Sequence, residues 1–270
     1  MENLVSEEAF IGTYRYRVFA EKALGRYGDW LTVQPSPKLA EIVASLLTDG
    51  HLEGRKVKGH YKYDYIGYFS KNTEDLEHFN ELLDKVFGIQ GTMMKWGRRI
   101  NGSSMGIILC NAALSRILYI CGAERGDKIT KEYRLPLWIA NGDYEIKAAF
   151  LRRSFSCEGS VCNTVRNNRW EIKYSMGKTE ELVENGFSYL NSMRKMLDEF
   201  GIETTPVTVI QRLHRSRDGK ITAMLRFRIK RKSFVNFRDR IGFDIAYKNS
   251  GLQKATEWAS TFRDSLKLSA

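Results

Sequence analysis

The feature that most constrains this 270-residue chain is that it is written twice. After Gly50 comes a basic, tyrosine-rich segment, RKVKGHYKYDYIGYFSK, that alternates like a hairpin. A helical segment follows, NTEDLEHFNELLDKVFGI, opening on Asn72 or Thr73 and closing at Gly88. After Gly159 the order recurs, with NNRWEIKYSM and then a helix ending MRKMLDEFGI at Gly201. TMMKWGRRINGSSMGIILC and TPVTVIQRLHRSRDGKITAMLRFRIK each read as strand, turn, strand, with Asn101-Gly102 and Asp218-Gly219 as hairpin signals. NAALSRILYICG and SFVNFRDRIGF then give short helices ending at Gly122 and Gly242. A repeat of this length must be built from equivalent supersecondary units. The pattern predicts an α+β chain of two pseudo-symmetric αββαββα halves. AERGDKITKEYRLPLWIANGD forms a polar connector between them, extended around Pro136.

Each copy opens on a helix with an acid at the wrong end. In KLAEIVASLLTDGHL, Ser36 is an N-cap, Pro37 takes the first helical position and Gly50 is a stop signal. Asp49 therefore falls at a C-terminus, where the macrodipole is already negative. In YEIKAAFLRRSFSCEGSV, Asp143 is the N-cap and Glu158-Gly159 stands where Asp49-Gly50 stood. Asp-Gly is a common turn dipeptide, which accounts for one such acid. Two of them in register suggest a cation that offsets both charges.

Charge points to the partner. Lys and Arg outnumber Asp and Glu by 43 to 32, a formal net charge of +11, which suits a polyanion, nucleic acid before an anionic membrane surface. In LRFRIKRK, Leu225, Phe227 and Ile229 alternate with Arg226, Arg228, Lys230 and Lys232, so one strand face carries a row of cations. In KVKGHYKYDY, Val57, Tyr61, Tyr63 and Tyr65 oppose Lys56, Lys58, His60 and Lys62. Lys95, Arg98 and Arg99 add charge at a third hairpin. A single such row is an ordinary solvated face. Rows in several hairpins of a duplicated basic protein fit a DNA groove, which admits a two-stranded ribbon.

Other classes are disfavoured. Cys110, Cys121, Cys157 and Cys162 form no CxxC pair, and no His stands at zinc spacing, so buried thiols are expected. No phosphate-binding glycine loop or dinucleotide fingerprint occurs. No apolar run reaches a membrane span, and MENLVSEEAF lacks signal and transit patterns, so a soluble intracellular chain is expected, cytoplasmic and nucleoid-associated in a prokaryote. His51, just after the first acid turn, is either solvated or in touch with substrate.

With these residues in place, the chain resembles the LAGLIDADG homing endonuclease family in its single-chain, two-motif form. Its motifs read IVASLLTDG, Ile42 to Gly50, and LRRSFSCEG, Leu151 to Gly159, and the resemblance covers roughly residues 37–248. It implies a saddle of antiparallel sheets around two packed motif helices, with halves at 36–125 and 143–270 and a connector at 126–142. The second half would include a C-terminal helix. Residues 1–35 lie outside the resemblance, and their sequence reads as an N-terminal extension of one helix or two. The resemblance implies that Asp49 and Glu158 hold Mg²⁺ or Mn²⁺, helped by the carbonyls of Thr48 and Cys157. Hard carboxylate oxygens suit Mg²⁺. Lys71 matches a basic residue that the family places near the metal water. Opposite it in the second half stands Gly177, with Lys173 and Lys178 as further candidates.

By the same resemblance the chain is a monomeric, metal-dependent nuclease that breaks both strands of double-stranded DNA at a long, nearly non-palindromic site. It has no nucleophile at Met1 and ends KLSA rather than His-Asn, so a free-standing, intron-encoded enzyme is expected rather than an intein. The alternatives on the same fold are an RNA-splicing maturase, with intron RNA as partner, and a non-cleaving DNA-binding protein. One motif position departs from the family: Arg153 stands where a small residue is usual, whereas Ala44 conforms.

Overall fold

The computed structural model describes residues 3–53, 56–61, 65–96, 104–164, 169–213 and 221–267. The chain divides into two compact units, residues 1–128 with 136–150 and residues 129–135 with 151–270.

The first unit begins with α1 (Glu7–Gly12), α2 (Arg17–Tyr27) and a 3-10 turn, Gly28–Thr32. These settle the structure of the N-terminal extension, for which the sequence allowed one helix or two. Phe10 is fully buried, and Trp30 stacks on Tyr27 while its Nε1 donates to the Phe87 carbonyl at 2.9 Å. There follow α3 (Pro37–Leu47), β1 (Gly50–Leu52), β2 (Lys56–Val57), β3 (His60–Tyr61), β4 (Ile66–Ser70), α4 (Thr73–Phe87), β5 (Thr92–Trp96), β6 (Ser104–Leu109) and α5 (Ala112–Ile120). After a turn at Lys128–Thr130 come α6 (Leu137–Ala140) and α7 (Tyr144–Glu158), and the division between units falls inside α7. The second unit continues with β7 (Gly159–Thr164), β8 (Arg169–Thr179), α8 (Val183–Glu199), β9 (Thr208–Leu213), β10 (Thr222–Arg228), α9 (Phe234–Arg240) and α10 (Ala246–Lys267).

The duplication is visible in the ladders. The sheets run β1-β4-β6-β5 and β7-β8-β10-β9, all antiparallel. Gly50 faces Tyr68, which faces Ile107; Gly159 faces Tyr174, which faces Phe227. Local chemistry explains the helix boundaries. Ser36 Oγ accepts from Leu39 N at 3.3 Å, and Asp143 Oδ1 accepts from Ile146 N at 2.9 Å, so both motif helices start on side-chain caps. The repeated helix endings stop at Gly88 (φ 65°) and Gly201 (φ 66°), left-handed positions where a Cβ would be strained.

Each sheet buries one face against helices. In the first unit Tyr68 stacks on Phe79 of α4 with centroids 4.6 Å apart, and its hydroxyl donates to the buried Asp75 at 2.7 Å. In the second, Phe155 sits among Tyr174, Phe227, Phe237 and Phe243. Burying each such side chain contributes about 1.5–3 kcal/mol, so these aromatic clusters fix the sheets beneath α4 and against α7.

Two expectations change. The strand read from LRFRIKRK ends at Arg228: Ile229 bridges to Thr204, Lys230 N donates to Glu203 O, and a 3-10 turn begins at Arg231. Lys232 lies in a 3-10 turn, Arg231–Ser233. The tyrosine-rich segment is divided between β4 and a separate β2–β3 ribbon, joined by Lys58-Gly59 with φ 49° and 80°. The connector is extended up to Pro136 as expected, between the Lys128–Thr130 turn and α6. Asn101-Gly102 and Asp218-Gly219 lie outside the described residues.

Candidate metal and nucleic-acid site

The helices α3 and α7 bring their acids to solvent in the same way. Residues 42–48 of α3 and its C-cap are all buried, yet Asp49 is exposed; residues 153–156 are buried, yet Glu158 is exposed. The chain then turns directly into β1 and β7, and this turn is why glycine follows each acid. A Cβ on Gly50 would stand 2.8 Å from the Leu46 Cα and from the Ser45 carbonyl. On Gly159 it would stand 2.5 Å from the Phe155 carbonyl. Both glycines close the helix onto the first strand with no room for a side chain.

The cation that the sequence argument sought is partly supplied by the chain itself. Lys128 Nζ donates to the carbonyls of Leu46 (3.0 Å), Thr48 (2.5 Å) and Gly50. Lys248 Nζ donates to those of Phe155 (3.4 Å), Ser156 (2.5 Å), Cys157 (3.2 Å) and Gly159 (2.7 Å). The strand register makes Leu46, Thr48 and Gly50 equivalent to Phe155, Cys157 and Gly159. Each motif helix thus ends on a lysine that satisfies the orphan carbonyls and opposes the dipole. Nothing in the sequence marked these two lysines, because their partners lie some eighty to ninety positions away and no local pattern links them. The carbonyls of Thr48 and Cys157, expected as metal helpers, accept from these ammonium groups, and a carbonyl carries two lone pairs.

His51 is half-buried on β1, its ring 5.6 Å from that of Tyr65. Burial, and then the Lys128 charge, hold its pKa below the ordinary histidine value. The imidazole is therefore neutral at neutral pH. Beneath Glu158 lie the buried Tyr133, Tyr174 and Tyr189, whose hydroxyls burial, and secondarily neighbouring charges including Glu158, push to higher pKa. Arg153 is completely buried, with its guanidinium 3.9 Å from the Asp244 carboxylate, and Arg152 Nε donates to Ile241 O at 2.7 Å. The bulky residue in the second motif thus faces its own unit and ties α7 to the segment between α9 and α10.

Lys71 is exposed, just past β4. With Tyr68 equivalent to Tyr174, the register places Gly177 opposite it. Lys178 is buried, its ammonium donating to Lys131 O and lying 4.0 Å from the centre of the Tyr133 ring. It is a core residue. Lys173 is half-buried, between Ser160 and Arg228.

The basic row also separates into different environments. Arg226 and Arg228 point to the outer face of the second sheet, opposite the buried Leu225 and Phe227. Arg226 Nε donates to Ser175 Oγ at 2.8 Å, and Arg228 pairs with Glu171 at 3.2 Å. Lys230 and Lys232 share the exposed Glu203, whose pKa is lowered by hydrogen bonds from Lys232 and then Lys230. In the first unit Lys58 and Lys95 are exposed, and Lys56 lies in β2. Lys62, Arg98 and Arg99 lie outside the described residues. All four cysteines are thiols, but only Cys121 is buried, its pKa pushed up to about 12; Cys110 is exposed, and Cys157 and Cys162 are half-buried. No helix among the described residues is long and apolar enough to cross a membrane.

Comparison with known proteins matches part of the chain to one domain family. Residues 145–242 match the LAGLIDADG-like domain. The tRNA-splicing ligase RtcB of Pyrococcus abyssi is 37% identical over 106 residues, 38% of this chain and 12% of that protein. The DNA-directed RNA polymerase subunit Rpo1N of Methanocaldococcus jannaschii is 26% identical over 278 residues, 95% of this chain and 20% of that protein. The chain thus spans a fifth or less of the length of these relatives. A structure of mesophilic variants of the homing endonuclease I-DmoI superposes with a TM-score of 0.50 at 13% identity, covering 76% of this chain and 90% of that one. At that identity the likeness shows the fold.

Proposed function

We propose, because residues 145–242 match the LAGLIDADG-like domain and the first half repeats the same ladder, that this chain is a site-specific, divalent-metal-dependent DNA endonuclease. One observation carries the reading. Two repeated helices, buried along their last turns, each release an exposed carboxylate where the helix dipole disfavours one. A fold does not need such acids, but a hard cation does. Mg²⁺ keeps several waters and takes one or two carboxylates together with phosphate oxygens. Asp49 and Glu158 would each serve as a ligand to such a cation, which when bound would supply an activated water and charge stabilisation at the phosphate.

The chain's own residues do the rest. Lys128 and Lys248 fix the carbonyl ends of the two helices, so that each acid leaves a rigid turn. Lys71 would add positive charge near the reacting phosphate, and the outer sheet faces would hold the duplex. The relatives carry different names, and the similar segment is a small part of each.

A second reading rests on the same lysines. Because each helix end already has an ammonium group, the acids can be tolerated without metal, as in a non-cleaving DNA-binding protein. Incubation with plasmids carrying candidate insertion junctions separates the two. The nuclease reading expects linear product with Mg²⁺ or Mn²⁺ and none with EDTA. Tight binding without cleavage in either metal would establish the binding-protein reading instead.

The cations should not contribute equally. Each neutralised phosphate adds about −0.9 to the slope of log K against log salt. Arg226→Gln should flatten that slope by close to this amount. Lys232→Gln should change it less, because Lys232 is already compensated by Glu203. Equal slopes for the wild type and Arg226→Gln would remove Arg226 from the phosphate contacts.

A further inference from the structure

The second unit holds a cavity of about 570 Å³ that shares Arg228 and Lys230 with the basic row. It opens where β8 begins and β10 ends. Trp170, Phe234 and Trp258 supply its aromatic surfaces, and Arg169, Arg228, Lys230 and Arg231 its charge. The one acid in its lining, Glu171, is engaged by Arg228 at 3.2 Å. Phe234 is buried, the two indoles are half-exposed, and Arg169, Lys230 and Arg231 reach solvent, so the floor is apolar and the rim cationic. The Arg231 guanidinium lies 5.6 Å from the Trp258 ring centre, which sets a planar cation beside a planar stacking surface.

A duplex read along its grooves offers phosphates and base edges but no free base face. Indole surfaces in a pocket of this volume, within the range of small-molecule sites, call for a ligand that is flat, aromatic and anionic. Stacking on an aromatic side chain contributes about 1–3 kcal/mol per base and tolerates any base. We infer that this cavity is a binding site for a single unstacked nucleotide, its base against Trp170 and Trp258 and its phosphate on Arg231 and Arg169. Arg228 belongs both to the outer sheet face and to the cavity wall, so a strand lying along that face passes the opening. The inference rests on nucleic acid being the partner, and it adds a single-stranded or extrahelical element to the substrate.

The test is tryptophan fluorescence of the whole chain titrated with deoxynucleoside monophosphate, inorganic phosphate, a short single-stranded oligonucleotide and a blunt duplex. The wild type should be quenched by the monophosphate and more tightly by the single strand. Trp258→Leu and Arg231→Gln should each weaken the single-strand affinity at least tenfold while leaving blunt-duplex binding within about twofold. Arg231 is on the surface, so its variant stays informative if Trp258→Leu fails to fold. Phosphate competing as well as the monophosphate would reduce the cavity to an anion site and overturn the inference. Duplex binding with no response to single strand or monophosphate would overturn it too, while leaving the endonuclease reading intact. Failure to bind any nucleic acid would overturn both.

Discussion

Lys248→Met should lower the thermal midpoint of the second unit by roughly 6–12 °C. The side chain is 7% exposed, and its ammonium meets four backbone carbonyls at the end of α7. Methionine keeps most of the length and removes every donor. Hydrogen bonds to a charged group contribute about 1.5–3 kcal/mol, and carbonyls left unmet in a buried place add a desolvation cost. The bonds share one ammonium and are not additive, so a loss of about 3 kcal/mol is expected, against a total stability of about 5–15 kcal/mol. For a chain of this size each kcal/mol moves the midpoint by about 2–4 °C. Lys128→Met should cost less, because Lys128 is half-exposed and water can replace part of what it supplies. Calorimetry of the two variants checks the order. A Lys248→Met midpoint within a degree of wild type would mean that the ammonium does not hold the helix end.

These lysines also mark what was legible in the sequence. The repeat, the caps at Ser36, Asn72 and Asp143 and the glycine stops at Gly88 and Gly201 are local or periodic signals, and the structure places elements where those signals stand. The α+β class with two equivalent four-stranded sheets followed from them. Contacts across eighty or more residues leave no such trace. Lys128 reads as one more charge in a polar connector, and Lys248 as a surface residue opening a last helix. Lys178 shows the converse: its position one residue past the counterpart of Lys71 made it a site candidate, whereas the strand's alternation turns it into the core. The cation row was legible as far as Arg228, because period two holds only while the strand lasts. Arg231 and Trp258 share a cavity for a reason no spacing displays, since they come from a turn and a helix that only the fold brings together.

Asp49→Asn and Glu158→Gln should each abolish strand cleavage while leaving DNA affinity within a few-fold of wild type. Each amide keeps the shape of its carboxylate and removes the hard anionic ligand that a divalent cation requires. Binding should persist because Arg226 and Arg228, assigned to DNA contact, stand on the outer face of the second sheet and not on the acid-bearing turns. Calcium should support binding but poor cleavage, because its looser coordination holds the attacking water less well.

The most direct measurement pairs a gel shift with plasmid cleavage, in Mg²⁺, for the wild type and the two single variants on one target. The account predicts three matching binding curves and linear product from the wild type alone. Full cleavage by either Asp49→Asn or Glu158→Gln would contradict it.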